Sequence, residues 1–92
     1  MALMFSGKFT VSPDVISQQY LEETILLNVK SLVYIRLDSL AGCLWQLLEQ
    51  HDDIETVFCN LIEQQKLPKQ QLEQLVNSCI GNFQRVRWIT LP

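Results

Sequence analysis

Residues 25–48, with the sequence ILLNVKSLVYIRLDSLAGCLWQLL, constrain the fold most because they predict a β-hairpin that leads almost directly into an amphipathic helix. The runs ILL and LVYIRL are rich in residues that strands favour, and residues 28–31 between them carry turn chemistry. A helix cap follows at Asp38 and Ser39, and leucines then recur at helical spacing, at Leu40, Leu44, Leu47 and Leu48. This order leaves one strand at the edge of a small sheet, where unpaired backbone groups are either a liability or a binding site.

An opening strand is predicted from about residue 9 to residue 19, with an interruption at Ser12, Pro13 and Asp14. Proline cannot donate to a strand ladder, so this strand must bulge or lie at a sheet edge there. Residues 20–23 are expected to form a turn, residues 24–28 the second strand and residues 32–37 the third. In a simple antiparallel meander, the third strand lies at the edge of the sheet.

Three helices are expected after the sheet. The first covers about residues 39–50, where Gly42 costs about 1 kcal/mol relative to alanine and needs an offset from tertiary packing. The second begins after Asp52 or Asp53 and has an apolar stripe at Ile54, Val57, Phe58, Leu61 and Ile62. The third follows Pro68 and has a wide apolar face formed by Leu72, Leu75, Val76, Cys79, Ile80 and Phe83.

Residues 85–91 are expected to add a short strand or to pack as an extended tail. The predicted fold class is therefore α+β, with a winged helix-turn-helix-like arrangement of a three-stranded antiparallel sheet followed by three helices. Residues 1–92 are expected to form a single domain, since a chain of this length supports one hydrophobic core.

Composition excludes several function classes. The formal net charge is −3 and the seven Lys and Arg residues are scattered, which disfavours a nucleic-acid partner. The chain has one histidine, His51, and three widely spaced cysteines, so neither a zinc site nor a disulfide framework is expected. It has no glycine-rich phosphate loop and no nucleophile–base pair, which predicts a protein without catalytic activity, metal or cofactor. No apolar run approaches the ~18 residues of a membrane span, so a soluble cytoplasmic protein without a membrane partner is expected.

Peptide binding remains as the function that the residues favour. A peptide could add to the edge of the third strand, and the wide apolar face of the third helix could form the opposite wall of a groove. For most residues of that face a core role is favoured, although six apolar positions leave one or two to share with a ligand. Two alternatives stay open: an acidic winged-helix regulator that binds DNA or a protein, and a structural subunit that dimerises through the exposed edge.

Four segments carry a resemblance to a known family: SPDV at residues 12–15, LLN at 26–28, YIRLD at 34–38 and LWQLL at 44–48. They resemble the PqqD-like domains, which are precursor-peptide recognition elements of ribosomally made, modified peptides. The resemblance implies a non-catalytic domain in which a leader peptide adds as a strand against the third strand, in a groove shared with the third helix. It implies that the peptide-binding residues are Val33, Tyr34, Ile35, Arg36, Leu72, Leu75, Val76 and Cys79.

The resemblance also implies partners. The opening segment and the LWQLL helix look more like the stand-alone leader-binding proteins of lasso-peptide clusters, which work with a separate cysteine-protease-like leader peptidase and a cyclase. The peptide chaperone of pyrroloquinoline quinone biosynthesis is the alternative. Many relatives have Gly where Leu32 stands, a larger residue at Cys79 and an acidic one at Leu75, so the register of the third strand and the width of the groove are expected to differ here.

Overall fold

Residues 2–92, the part of the chain that the computed structural model describes, form five strands and three helices. The strands are β1 (Thr10–Val11), β2 (Val15–Tyr20), β3 (Glu23–Asn28), β4 (Tyr34–Leu37) and β5 (Ile89–Thr90). The helices are α1 (Ser39–Gln50), α2 (Ile54–Gln65) and α3 (Lys69–Arg85). The predicted α+β class, with a three-stranded antiparallel sheet followed by three helices, is confirmed.

The main sheet has the strand order β2-β3-β4, so β4 is an edge strand as the meander predicts. Leu26 lies opposite Ile35, and Thr24 lies opposite Leu37. Leu26 and Thr24 are buried, which shows that this face of the sheet packs on the helices. The alternate residues, including Tyr34 and Arg36, therefore point to the outer face, because side chains alternate along a strand.

The opening strand is shorter than predicted because its first part leaves the main sheet. Residues 12–14 form a turn in which the amide of Val15 donates to the carbonyl of Ser12. Before this turn, β1 pairs with β5 in a separate antiparallel pair, with Thr10 opposite Thr90. The C-terminal segment therefore supplies a short strand, and the chain ends packed against its own N-terminal region.

The predicted start of the third strand, at residue 32, is wrong by two residues. Leu32 has a φ of 60°, and its amide donates to the carbonyl of Asn28 at 2.8 Å. The Asn28 side chain also accepts from the amides of Lys30 and Ser31, at 3.0 Å each, which closes the turn. A left-handed backbone conformation favours glycine, so Leu32 holds a strained position within this turn.

The helices begin where the sequence predicts. The Asp38 carboxylate accepts from the amide of Ala41 at 2.9 Å, and the Asp53 carboxylate accepts from the amide of Thr56 at 3.2 Å. This hydrogen bond is the main reason that the pKa of Asp53 lies below its ordinary value. Gly42 faces the sheet, where an added Cβ would lie 2.5 Å from the hydroxyl oxygen of Thr24. Packing of α1 on β3 thus explains a glycine inside the helix.

Candidate functional site

A cleft of about 330 Å³ lies between β4 and the C-terminal half of α3. Its lining is mostly apolar, with two polar side chains from α3, and consists of Ile35, Leu37, Cys79, Asn82, Phe83, Arg85 and Val86. The inward-facing residues of β4 form one wall and α3 forms the other. On its core side, the Phe83 ring packs edge to face against the ring of Trp45, with the ring centroids 5.0 Å apart, which restricts its position.

The apolar face of α3 divides into two rows. Leu72, Val76, Ile80 and Phe83 are buried in the core. Leu75 and Cys79 are only half-buried, and the same row continues through Asn82 to Val86 at spacings of four, three and four residues. Residues at these spacings share one side of a helix, so this second row faces the groove beside β4.

The eight residues implied by the family resemblance occupy four different environments. Ile35 and Cys79 line the cleft. Val33, Tyr34 and Arg36 are exposed on the edge strand or just before it, and Leu75 is half-buried beyond the cleft. Leu72 and Val76 are 0% and 1% exposed, because they belong to the core row of α3, and their side chains offer no surface to a ligand in this structure. The role of all eight in binding a peptide stays a prediction.

Sequence reasoning missed five residues of the cleft. Asn82, Arg85 and Val86 were not considered as site residues, and Leu37 and Phe83 were placed on the predicted edge strand and helix face without being named among the binding residues. The available signal was the spacing from Leu75 through Cys79, which extends to Asn82 and Val86. The inward direction of Leu37 follows from strand alternation, once the position of Ile35 is known.

One backbone hydrogen bond, between Asn28 and Val33, shows which residues of β4 bond to β3 and which face the free edge. The amide of Asn28 donates to the carbonyl of Val33 at 2.9 Å, in the same register that pairs Leu26 with Ile35 and Thr24 with Leu37. In an antiparallel ladder the bonded pairs alternate along the strand, so Val33, Ile35 and Leu37 direct their amides and carbonyls toward β3. Tyr34 and Arg36 direct theirs away from the sheet, toward the free edge.

The other edge of the sheet, at β2, is chemically different. Val15, at the start of β2, is buried in the core, but the other two side chains of β2 that share a face with Leu26 are the polar Ser17 and Gln19, and both are exposed. The Ser17 hydroxyl donates to the Glu49 carboxylate at 3.2 Å, which brings a negative charge to this edge. A peptide strand at β2 would find backbone partners but a polar wall, whereas at β4 it would find an apolar cleft.

Two electrostatic features mark the ends of the cleft. Burial, together with the negative charge of Asp38, raises the pKa of the Cys79 thiol, which is therefore a neutral group at neutral pH. Arg85 lies at the C-terminal end of α3, and its guanidinium donates to the amide oxygen of Asn82. The lining of the cleft is suited to binding an apolar side chain and offers no nucleophile with an adjacent base.

Two searches of the described residues bear on other classes of function. Residues 2–92 contain no helix that is both long and apolar enough to cross a membrane. Within the same residues, no three His, Cys, Asp or Glu side chains come together as a candidate metal site.

Comparisons with known proteins give one family match and two similar structures. The family model described as Coenzyme PQQ synthesis protein D (PqqD) matches residues 23–89. The structure of TbiB1 in complex with the TbiA(beta) leader peptide is 19% identical, with a TM-score of 0.75, over 87% of this chain and 93% of that chain. Lasso peptide synthetase B1 complexed with the leader peptide is 21% identical, with a TM-score of 0.69, over 92% of this chain and 99% of that chain. No curated protein sequence matches the chain significantly.

Proposed function

This chain belongs to the PqqD family, and from that premise we propose that it binds the leader segment of a ribosomally made precursor peptide without catalysing a reaction. The leader adds as a strand to the free edge of β4 and places one or more apolar side chains in the cleft beside α3. The observation that carries this proposal is the coincidence of an unpaired strand edge with an apolar cleft of about 330 Å³ on the same side of the sheet.

The backbone supplies affinity and the cleft supplies selectivity. Tyr34 and Arg36 each offer one amide and one carbonyl to an added strand, which allows up to two pairs of main-chain hydrogen bonds. Side chains of the ligand alternate, so every second one faces α3 and meets Ile35, Cys79 and Phe83. We expect β4 to be used rather than β2, because only β4 combines the free edge with an apolar wall.

The finer proposal is that the peptide is the leader of a lasso-peptide precursor. Both similar structures are described with a leader peptide bound, and one of them is described as lasso peptide synthetase B1. This chain spans 93% and 99% of their lengths. The domain would present the precursor to a separate leader peptidase and a cyclase. Its own role in that sequence is to hold the leader, which needs no catalytic group.

A second candidate is a peptide chaperone of pyrroloquinoline quinone-type biosynthesis, which the description of the family model favours. The binding event would be the same, and the partner would be the enzyme that modifies that precursor. A DNA-binding role is less well supported, since α3 carries only Lys69 and Arg85 as cations, at its two ends. A recognition helix needs positive side chains along its exposed face to contact phosphates.

The proposal is tested by titrating the protein with a synthetic leader segment of the precursor encoded nearest to its gene. Isothermal calorimetry should show saturable binding with a Kd of about 1 µM or tighter, which corresponds to about −8 kcal/mol. A scrambled peptide of the same composition is the matched control and should not saturate. Equal heats from the two peptides, or none from either, would contradict the proposal, and a salt-dependent complex with duplex DNA would favour the regulator.

A further inference from the structure

The rim of the cleft at the end of α3 carries a positive charge that no carboxylate in the described chain neutralises closely. The Arg85 guanidinium bonds to the neutral amide oxygen of Asn82, and both side chains line the cleft. Two other cations near the sheet differ from Arg85 in this respect, because Arg36 lies 3.7 Å from Glu23 and Lys30 lies 3.8 Å from Asp14. The Arg85 side chain therefore lies at the rim of the cleft, and most of its N–H groups remain available to a further hydrogen-bond acceptor.

A negative charge lies near Cys79, at some distance from Arg85. Asp38 follows β4 directly and lies close enough to Cys79 for its charge to act on that thiol. Arg85 is six residues beyond Cys79 along α3, a distance of about 9 Å at the helical rise. The groove therefore has a negative charge near Cys79 and a guanidinium further along α3, at Arg85.

We infer that Arg85 is a specificity-determining residue that binds an acidic side chain of the leader peptide. This inference rests on the proposed function and specifies the substrate class of the same groove. The recognised segment would contain a bulky apolar residue, which fills the cleft, and an Asp or Glu near it on the side away from Asp38. A carboxylate can accept two hydrogen bonds from one guanidinium, which makes arginine well suited to this role.

Strand geometry predicts where the acidic residue stands. Successive side chains of a strand point to opposite faces, and the residues that share a face are about 7 Å apart. The acidic residue is therefore expected two positions from the apolar one, since both must face α3. In a strand antiparallel to β4, the side away from Asp38 is the C-terminal side of the apolar residue. A basic residue at that position would be repelled by Arg85.

The chain offers a matched control for this charge. Arg87 lies two residues after Arg85 and is also exposed, but it lines a different concavity with Gln84, Ile89, Thr90 and Leu91. A variant at Arg87 changes the net charge by the same amount without changing the cleft. Any effect of general electrostatic attraction would therefore appear in both variants, whereas local recognition would appear only at Arg85.

The experiment selects binders from a random dodecapeptide library displayed on phage, using the full chain and its Arg85→Glu and Arg87→Glu variants. We expect peptides selected on the wild type and on Arg87→Glu to share an acidic residue two positions from a bulky apolar one. Peptides selected on Arg85→Glu should carry Lys or Arg at that position instead. For one synthetic selected peptide, exchange of its acidic residue for the neutral amide should weaken binding about three- to tenfold.

The Arg85→Gln variant controls for a folding defect in Arg85→Glu, because it removes the positive charge without placing a negative charge at the C-terminal end of α3. It should retain the wild-type unfolding midpoint and lose the same three- to tenfold in affinity. Selected peptides that compete for the β4 edge but show no acidic preference would overturn the role of Arg85 and leave the proposed function intact. A library that yields no specific binder to the wild type would overturn both.

Discussion

The amide of Asn28 and the carbonyl of Val33 are 2.9 Å apart, and this hydrogen bond sets the register of the whole exposed edge. Because bonded pairs alternate, it assigns Ile35 to the interior ladder and Tyr34 and Arg36 to the free edge. The distinction decides which backbone groups a ligand can reach. It also decides which substitutions can separate binding from folding.

Proline at position 34 should weaken peptide binding without unfolding the protein. Tyr34 is the first residue of an edge strand and its amide points away from β3, so proline removes a donor that only a ligand would use. We expect at least about a fivefold loss of affinity by calorimetry, equivalent to one hydrogen bond of about 1 kcal/mol. The control Tyr34→Ala keeps the amide and should retain more of the affinity.

Proline at position 35 should lower the stability of the fold, in contrast to proline at position 34. Ile35→Pro removes an amide that bonds to β3, and urea unfolding should show a large loss of stability, of about 3 kcal/mol or more. Stability losses of equal size at positions 34 and 35 would contradict the register.

Occupation of the groove should protect Cys79 from alkylation. In a variant with Cys43→Ser and Cys59→Ser, the remaining thiol lines the cleft, and its raised pKa keeps it protonated at pH values where an ordinary thiol begins to ionise. Since the thiolate is the reactive form, iodoacetamide should modify Cys79 more slowly than the exposed Cys59, and raising the pH should accelerate the modification of Cys79.

A saturating peptide should slow the alkylation of Cys79 further. The matched variant that keeps only Cys59 should show no change, because Cys59 lies on α2 and is exposed. Unchanged labelling of Cys79 by a peptide whose binding is measured in the same sample would exclude this thiol from the contact.

Alanine at position 42 should destabilise the fold, although alanine favours helices. The new Cβ would lie 2.5 Å from the Thr24 hydroxyl oxygen, and overpacking of this kind typically costs about 1–3 kcal/mol. We expect a loss in the free energy of unfolding by urea denaturation. Thr24→Ala should relieve the loss in the double variant, whereas Thr24→Val fills the same space and should not. A gain of about 1 kcal/mol, as for an exposed helical glycine, would refute this packing.

Glycine at position 32 should stabilise the protein or leave it unchanged. Leu32 has a φ of 60° and is 74% exposed, so its side chain gives little burial in return for a strained backbone. Relief of this strain is partly offset by the greater freedom of glycine in the unfolded chain, and we expect a net gain of up to about 1 kcal/mol. Leu32→Val should lose stability, since a branched Cβ fits this conformation worst. The measurement is urea unfolding, and a loss on Leu32→Gly larger than that on Leu32→Val would contradict the account.

Much of the fold can be predicted from local signals. The caps at Asp38 and Asp53 and the stripe of α2 specify helix starts and buried faces, because both depend on residues close in sequence. The pairing of β1 with β5 could not be predicted, since Thr10 and Thr90 meet through the packing of the whole chain. The late start of β4 was missed because Leu32 and Val33 have high strand propensity, and the turn made by Asn28 overrides it.

The site was predictable only in outline. Family resemblance points to the strand and the helix that form the groove, but propensity cannot separate Leu72, which is buried, from Cys79, which lines the cleft. That separation depends on how far α3 is rotated about its axis, which its packing against Trp45 of α1 and against α2 determines. Polar residues such as Asn82 and Arg85 escape a search for apolar stripes altogether.

The most direct test of strand addition at β4 is amide hydrogen exchange measured by NMR, with and without a saturating leader or library-selected peptide. The account predicts that the Tyr34 and Arg36 amides, which face the free edge, exchange at least about tenfold more slowly in the complex. The amides of Ser17 and Gln19, at the opposite edge, should exchange at unchanged rates. A bound peptide that leaves Tyr34 and Arg36 unprotected, or that protects Ser17 and Gln19 instead, would contradict the central claim.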